Sequence, residues 1–556
     1  MGCCTNGTPN TLAYYGDAAT LSAALGVGKA AELAGYVLRV AGGVVGVVPL
    51  NPTTRGGVGP VTKIGTGAET LTVSIAPHLQ ITIQCSTGGT LGTAAFTFQL
   101  GSGAISAPVT SAAGWSSTGY LVPGTFCTVI FTAGTYVAGG TPDIYIIATS
   151  GAVTHPQGTG PAVPTFTASP IDDYNVKVVI VVAGALATMQ FTYSLDSTSG
   201  NTSSAILSAG SGVYAIPGTG LVLTFAGTST ATDYFTFQSA APTPANADVT
   251  AANTALQTTY LSSLVGSMIG VDSVVASASA WTTLAALLES SAGTLGGLGI
   301  YLRYLLGTPT VGTVLPNAGS ITVDSADTDS VVIAQRQTWN NPHVNPCGGD
   351  FSLTSSITGL SLRRNDMWSA LARSAAVEAS QSLGWVGSPK GSVTNATALF
   401  RDEQATPGFD AAGITSLRTF PGAGASGIYF TDAHTGALPT SDYFPWANAR
   451  VVDIAATVVR LNGLPLVNGK VPTTTRNGLP GVVTEPYAQR VESSINSALK
   501  AVLVDGSPQN AVATKVVLNR TNNVLATSQL IFAVSVQPFG YSKFITFNVG
   551  LVITPA

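Results

Sequence analysis

Hydrophobic positions along this chain switch period three times. From Ala18 to Val40 the apolar residues Leu21, Leu25, Leu33, Val37 and Val40 recur at helical spacing behind Asp17, a good N-cap, and predict one helix. Val44 to Val48 then predicts a buried strand, and Asn51-Pro52 with Gly56-Gly57 marks a boundary. From about Pro60 to Ala245 the pattern is that of short strands: Thr/Val/Ile/Phe runs separated by Gly, Pro, Asn and Asp. Beyond Pro242-Thr-Pro244 the helical period returns. It predicts helices from Asp248 to about Val265 and from Ala280 to Ser290, with strands at Ile269–Val275 and Gly299–Leu306. This β-α-β order predicts a parallel or mixed sheet, which Val44–Val48 could join.

A further helix is expected from Asn365-Asp366 to about Ser382, and a strand pair at Ile414–Phe420 and Ile428–Thr431. Arg450–Leu461 is helical by spacing, Asn462–Pro480 is loop-like, and Glu485-Pro486 opens a helix to about Leu503. Its apolar stripe is Tyr487, Val491, Ile495, Leu499 and Val502. Strands are predicted at Lys515–Asn519, Leu530–Gln537 and Phe544–Thr554. The last alternates Ile545, Phe547, Val549, Leu551 and Ile553 on one face, and could pair at its own sheet edge or a neighbour's.

Within the β region two stretches look like copies. Phe96 maps on Phe191, Pro123 on Pro217 and Asp143 on Asp233, at offsets of 95, 94 and 90. The expected division is therefore an N-terminal arm with the first part of an α/β core at 1–60, β copy one at 61–157 and β copy two at 158–245. The rest of the core follows at 246–435 and a C-terminal domain at 436–556. The fold class is α+β multidomain: an α/β core with a small C-terminal helix-plus-antiparallel-sheet domain and two inserted tandem all-β domains, sandwich- or barrel-like. In that reading Thr70–Ile75 belongs to copy one.

Only 9% of the 556 residues are charged, against roughly 25% in an average soluble protein. A Ser/Thr/Gly surface suits burial in large contacts between subunits. With 22 Lys+Arg against 26 Asp+Glu there is no basic field for nucleic acid. No stretch reads as a membrane span. Of the five cysteines, Cys3 and Cys4 are adjacent near the start. The five, few and scattered, are expected to be reduced, mostly buried thiols; alternatively, on a mobile arm Cys3 and Cys4 would be candidates for a disulfide to a neighbouring subunit, since adjacent cysteines pair with each other only under strain.

Motifs for chemistry are sparse. His343-Val-Asn-Pro-Cys347 offers two ligand types, where a zinc site needs three or four. Asp324, Asp327 and Asp329 lack the spacing of a calcium loop. There is no G-x-S-x-G elbow and no complete phosphate-binding loop. The expectation is a non-enzyme without cofactor or metal.

Ile414-Thr-Ser-Leu-Arg418, Gly427-Ile-Tyr-Phe430, Ser441-Asp442-Tyr-Phe444 and Asn448-Ala-Arg450-Val-Val-Asp453 carry a resemblance. Together with the helix and antiparallel strands after Pro486, they are similar to the core of contractile bacteriophage tail sheath proteins. The front half is similar too, in the Leu21-to-Val40 helix, Pro52-Thr-Thr and the repeated Gly-Thr-Gly. The resemblance implies a virion subunit, assembled in the host cytoplasm, that stacks as six-fold rings around an inner tail tube and contracts to drive the tube through the host envelope. It implies self-association by strand exchange through Phe544, Ile545, Phe547, Val549, Leu551 and Ile553. Baseplate and tail terminator proteins would be further partners, with no membrane insertion by the sheath itself. The candidate tube-facing residues are Arg490, Glu492 and Lys500, because a few screened charges suit a sliding contact. The alternative reading is an extracellular or virion-surface carbohydrate-binding β protein.

Overall fold

The computed structural model describes residues 1–197, 199–261, 264, 266–272, 277–309, 327–420, 426–476 and 478–543. It is a mixed α+β, multidomain chain, as the periodicities predicted.

The helix expected over Ala18–Val40 is two helices, α1 (Ala18–Leu25) and α2 (Lys29–Ala41). Asp17 caps α1 by accepting from the amides of Ala19 and Thr20. The break between them is occupied. Thr5 and Asn6 donate their amides to Val27 O and Leu25 O, so the N-terminal segment crosses the chain there. Gly26 and Gly28 hold positive φ values of 68° and 122°. A Cβ on Gly26 would lie 2.4 Å from Thr5 Oγ1, and one on Gly28 would lie 3.0 Å from the Cys3 carbonyl oxygen. Glycine is required by both backbone angle and crossing.

The body is a parallel three-stranded sheet of Met268–Val271, Arg303–Gly307 and Val344–Cys347. Its connections carry α4 (Ala278–Gly297) and α5 (Asp329–Gln337); α3 (Asn246–Thr259) leads into it and α6 (Asp366–Ala376) packs on its strands. Arg303–Gly307 is buried along its whole length, as parallel strands are. Val45–Val47 does not join this sheet; it pairs antiparallel with Ala13–Tyr15, while Gly2–Cys3 runs parallel to Pro49–Leu50. Helix α6 stops at Ala376, short of Ser382, where Arg450 takes the Ser374 and Val377 carbonyls that further helix would have used.

Two β sandwiches emerge from the body. Their strands are β1 (Thr62–Ile64), β2 (Thr70–Ile75), β3 (Ile81–Thr87), β4 (Ala95–Leu100), β5 (Val109–Thr110), β6 (Tyr120–Leu121), β7 (Thr128–Ile130) and β8 (Ile144–Ile147). Then follow β9 (Val153–Gln157), β10 (Thr165–Thr167), β11 (Asn175–Val182), β12 (Gln190–Ser194), β13 (Ile206–Leu207), β14 (Val213–Ile216), β15 (Leu221–Ala226) and β16 (Tyr234–Ala240). The first sandwich packs sheet β5-β4-β3-β8-β9 on sheet β6-β7-β10. The second packs β13-β12-β11-β16, edged by β1 and by Gly57–Val58, on β14-β15-β2. Equivalent aromatic pairs bridge the sheets: Phe96 to Phe131 at 4.7 Å between ring centroids, and Phe191 to Phe225 at 4.8 Å. The pairings correct the expected division. β2, assigned by sequence to copy one, lies on β15 of the second sandwich, and β10 lies on β7 of the first.

The C-terminal domain packs α7 (Trp446–Gly463) against α8 (Glu485–Leu499), with hairpins Thr473–Arg476/Leu479–Val483 and Ala513–Leu518/Phe532–Gln537. Tyr487, Val491, Ile495 and Leu499 form the buried stripe. Val502 does not continue it. A π-helical turn over Lys500–Val504 widens the helix, so Leu503 is buried and Val502 exposed.

Candidate functional site

The four segments that carry the resemblance follow one another between residues 414 and 453 and dock on the parallel sheet and on α6. Leu417–Arg418 pairs antiparallel with Tyr429–Phe430, register Leu417 to Phe430. His434, just downstream, stacks on Phe444 at 4.5 Å and has Nε2 3.1 Å from Asp410 Oδ1. From the first turns of α7, Arg450 reaches the end of α6, and Asp453 accepts from the Nε and Nη2 of Arg303 on the middle strand of the parallel sheet. Arg303 also donates to the carbonyls of Pro342 and Ala449. One buried guanidinium thus ties the sheet to the C-terminal domain. Burial raises the Asp453 carboxyl above the usual range, opposed by Arg303.

A second charged joint fixes the sandwiches to the body. Arg364 donates to Glu32 of α2 at 3.0 Å and to Asp172, between β10 and β11, at 2.6 Å. Lys29 pairs with Asp173. Burial and the neighbouring Asp172 push Glu32 up, against the pull of Arg364. Burial also pushes on Asp173, but Lys29 and Arg364 more than offset it, and that carboxyl sits below its usual range. The joint borders a polar cleft of about 140 Å³ lined by Lys29, Asp173, Asp272, Arg363 and Arg364 among others. Sequence reasoning missed this joint. Its only trace was two doublets, Asp172-Asp173 and Arg363-Arg364, far apart in the chain.

The sequence candidates fare unequally. Glu492 does not lie on the open face of α8: it accepts from Arg520 and from the Leu518 amide. Arg520 also grips Glu485 at 2.9 Å. Arg490 lies over the Tyr487 ring at 5.1 Å, and Lys500 begins the π turn. Both are exposed, in a row with Gln489, Ser493, Ser494 and Ser497. That row carries two positive charges and no acid.

Cys3 and Cys4 are not on a mobile arm. They are only 3% and 7% exposed, because the segment is threaded through the α1–α2 break and Asp272 donates its amide to the Met1 carbonyl. Burial pushes the Cys4 thiol up to about 12, and Cys3 well above its usual value. The expected inter-subunit disulfide is thus out of reach in this conformation. Phe544, Ile545, Phe547, Val549, Leu551 and Ile553 lie outside the described residues.

The residues singled out for metals go elsewhere. His343 Nδ1 lies 2.7 Å from Glu289, and Cys347 Sγ faces Asn345. Asp327 caps α4 through the Ala278 amide and Asp329 pairs with Arg401, while Asp324 lies outside the described residues. Among the described residues no three His, Cys, Asp or Glu side chains gather as a metal site. Nor is any described helix long and apolar enough to cross a membrane.

No protein-family profile matches the chain, and no curated protein does. Among solved structures the chain is similar to one in the cryo-electron-microscopy structure of the anti-feeding prophage baseplate, six-fold symmetrised. The TM-score is 0.36 and the identity 14%, over 57% of this chain and 76% of that one.

Proposed function

We propose that this chain is a structural, non-catalytic subunit of a contractile tail sheath, polymerising as stacked six-fold rings around an inner tube. The observation that carries this reading is how the sheath-like stretch docks. Residues 414–453 form one continuous stretch that meets the parallel sheet at both ends, Thr415 bridging to Cys347 and Asp453 accepting from Arg303, while Arg450 reaches the end of α6.

Two further features support it. The α8 row of Arg490 and Lys500 among Ser and Gln is polar and sparsely charged, suited to a screened contact that slides on a tube. The alternating terminal segment from Phe544 to Ile553 has the pattern of a strand that pairs at an edge. In this role the partners are further copies of the chain, the tube, and the baseplate and terminator proteins at the tail ends. The place is the virion, after assembly in the host cytoplasm.

Negative-stain electron microscopy of the full chain beside a version ending at Tyr541 tests the reading. Tubes or stacked rings from the full chain, absent on truncation, are expected. Discrete monomers from both, with or without added tube protein, would overturn it.

A further inference from the structure

The two sandwiches use the same eight strands, but their order along the chain and their places in space disagree. β1–β8 and β9–β16 correspond one to one. Phe98 opposite Ile83 is matched by Tyr193 opposite Val178, and Tyr145 opposite Ile83 by Phe235 opposite Val178. The leading strand pairs match as well; the two strands of each lie in opposite sheets, so each pair is an arch. Gln157 opposite Ile144 is matched by Ile64 opposite Tyr234, and Phe166 opposite Val129 by Val73 opposite Leu223. Both arch matches have an offset of 93, next to offsets of 95, 94 and 90 for the strands that follow. One tandem period therefore runs from the arch through to the last strand. On this period β1–β2 belongs with β3–β8 and β9–β10 with β11–β16, which moves the boundary between the copies from residue 157 to ahead of β9.

In space they are crossed. β1–β2 completes the sandwich of β11–β16, and β9–β10 completes that of β3–β8. Each arch carries Gly-Thr-Gly, and each folds that loop over the buried aspartate of the other unit. Gly67 donates its amide to Asp233 at 2.7 Å, and Gly160 to Asp143 at 2.7 Å. A Cβ on Gly65 would lie 2.1 Å from Asp233, and one on Gly158 would lie 2.0 Å from Asp143, so the same close approach is built twice.

We infer that the two β domains are a tandem duplicate whose leading arches are exchanged within the chain, and that either arch fits either seat. The exchange makes the domains unequal. The first sandwich is continuous from β3 to β10. The second is assembled from two pieces, and its parts come together once the first has closed the intervening loop. The first then acts as the clasp for the second.

Two measurements on the full chain test this. Thr72 lies opposite Thr224; in an unexchanged arch it would stand where Thr165 stands, opposite Ile130. The pair Thr72→Cys with Thr224→Cys should cross-link nearly completely under mild oxidant, and Thr72→Cys with Ile130→Cys should not. Cross-linking of the second pair, or of neither, overturns the exchange. Equivalence is tested by replacing Ile64–Ile75 with the sequence of Gln157–Ala168. Hydrogen-exchange protection of β15 and β16 should survive. Loss as complete as that caused by a Gly-Ser segment of the same length would overturn the claim that either arch fits either seat.

Discussion

Arg303 and Asp453 hold the parallel sheet and the C-terminal domain together through two hydrogen bonds from one guanidinium, the Nη2 contact measuring 2.8 Å. Arg303 is 2% exposed. Removing one partner of such a pair strands a charge away from water, at a cost of about 3–5 kcal/mol. Asp453→Ala should lower the urea midpoint of the full chain accordingly. The double change Arg303→Met with Asp453→Leu should recover most of the loss. Equal midpoints for Asp453→Ala and the parent would remove the pair from the account of this joint.

Asp410 gives a pH prediction. Burial would raise its carboxyl, but hydrogen bonds from His434 and Lys543 outweigh it and bring it to about 2. A carboxyl lowered by folding contributes stability above its unfolded value, about 3.9, and loses it as pH falls through the folded value. The contribution is therefore complete above about pH 5 and disappears between about pH 4 and 2. Asp410→Asn should be less stable than the parent at pH 6 and should converge with it near pH 2. Parallel unfolding curves across that window would contradict the assignment.

Asp366 should behave in the opposite sense. It is fully buried near Asp350, and burial pushes its carboxyl well above the usual range. A raised carboxyl binds its proton more tightly folded than unfolded, so its contribution to stability falls as pH rises above about 4. Asp366→Asn, which keeps shape and removes the titration, should match the parent at pH 4 and gain on it toward pH 7. Thermal unfolding at the two pH values decides this.

On α8 the three sequence candidates should separate. Arg490→Glu with Lys500→Glu should leave the melting temperature within about a degree, since surface changes of this kind cost little, and should impair assembly. Glu492→Ala should instead destabilise the domain by about 1 kcal/mol, because the Leu518 amide loses its acceptor and Arg520 one of its two carboxylates, while solvent screens part of the loss. Melting curves beside sedimentation of assembled material distinguish the two.

The N-terminal crossing predicts thiol behaviour. Cys3 and Cys4 should resist a small thiol reagent in the folded chain and react on denaturation. Gly28→Val, which places a side chain against the Cys3 carbonyl at a positive φ, should expel the segment and expose both thiols. Mass spectrometry of labelled peptides reads the result.

What the sequence made legible followed from local rules. Helical stripes such as Tyr487, Val491, Ile495 and Leu499, the Asp17 cap and the β-α-β order all appear where periodicity placed them. The failures share a cause: a distant segment decided the local structure. Gly26 and Gly28 are breaks because Thr5 and Cys3 pass there. Val502 gives way to Leu503 because a π turn adds to the helix without changing its composition. Strand β2 lies beside β15, a pairing that leaves no mark in its own alternation. At the candidate site, Glu492 looked free because its partner, Arg520, is remote in sequence.

The Arg364 joint has a mechanical consequence. The chain enters the sandwiches after Leu50 and leaves before Asn246, and these two tethers are stitched together by Thr54 with Thr243 and by Thr53 with Asp248. Closely spaced tethers by themselves form a pivot. Arg364, binding Asp172 on one side and Glu32 on the other, adds with the Lys29–Asp173 pair an attachment outside those tethers and turns the pivot into a bracket. A torque on the sandwiches is thereby delivered to α2, the helix at whose start the N-terminal segment is threaded.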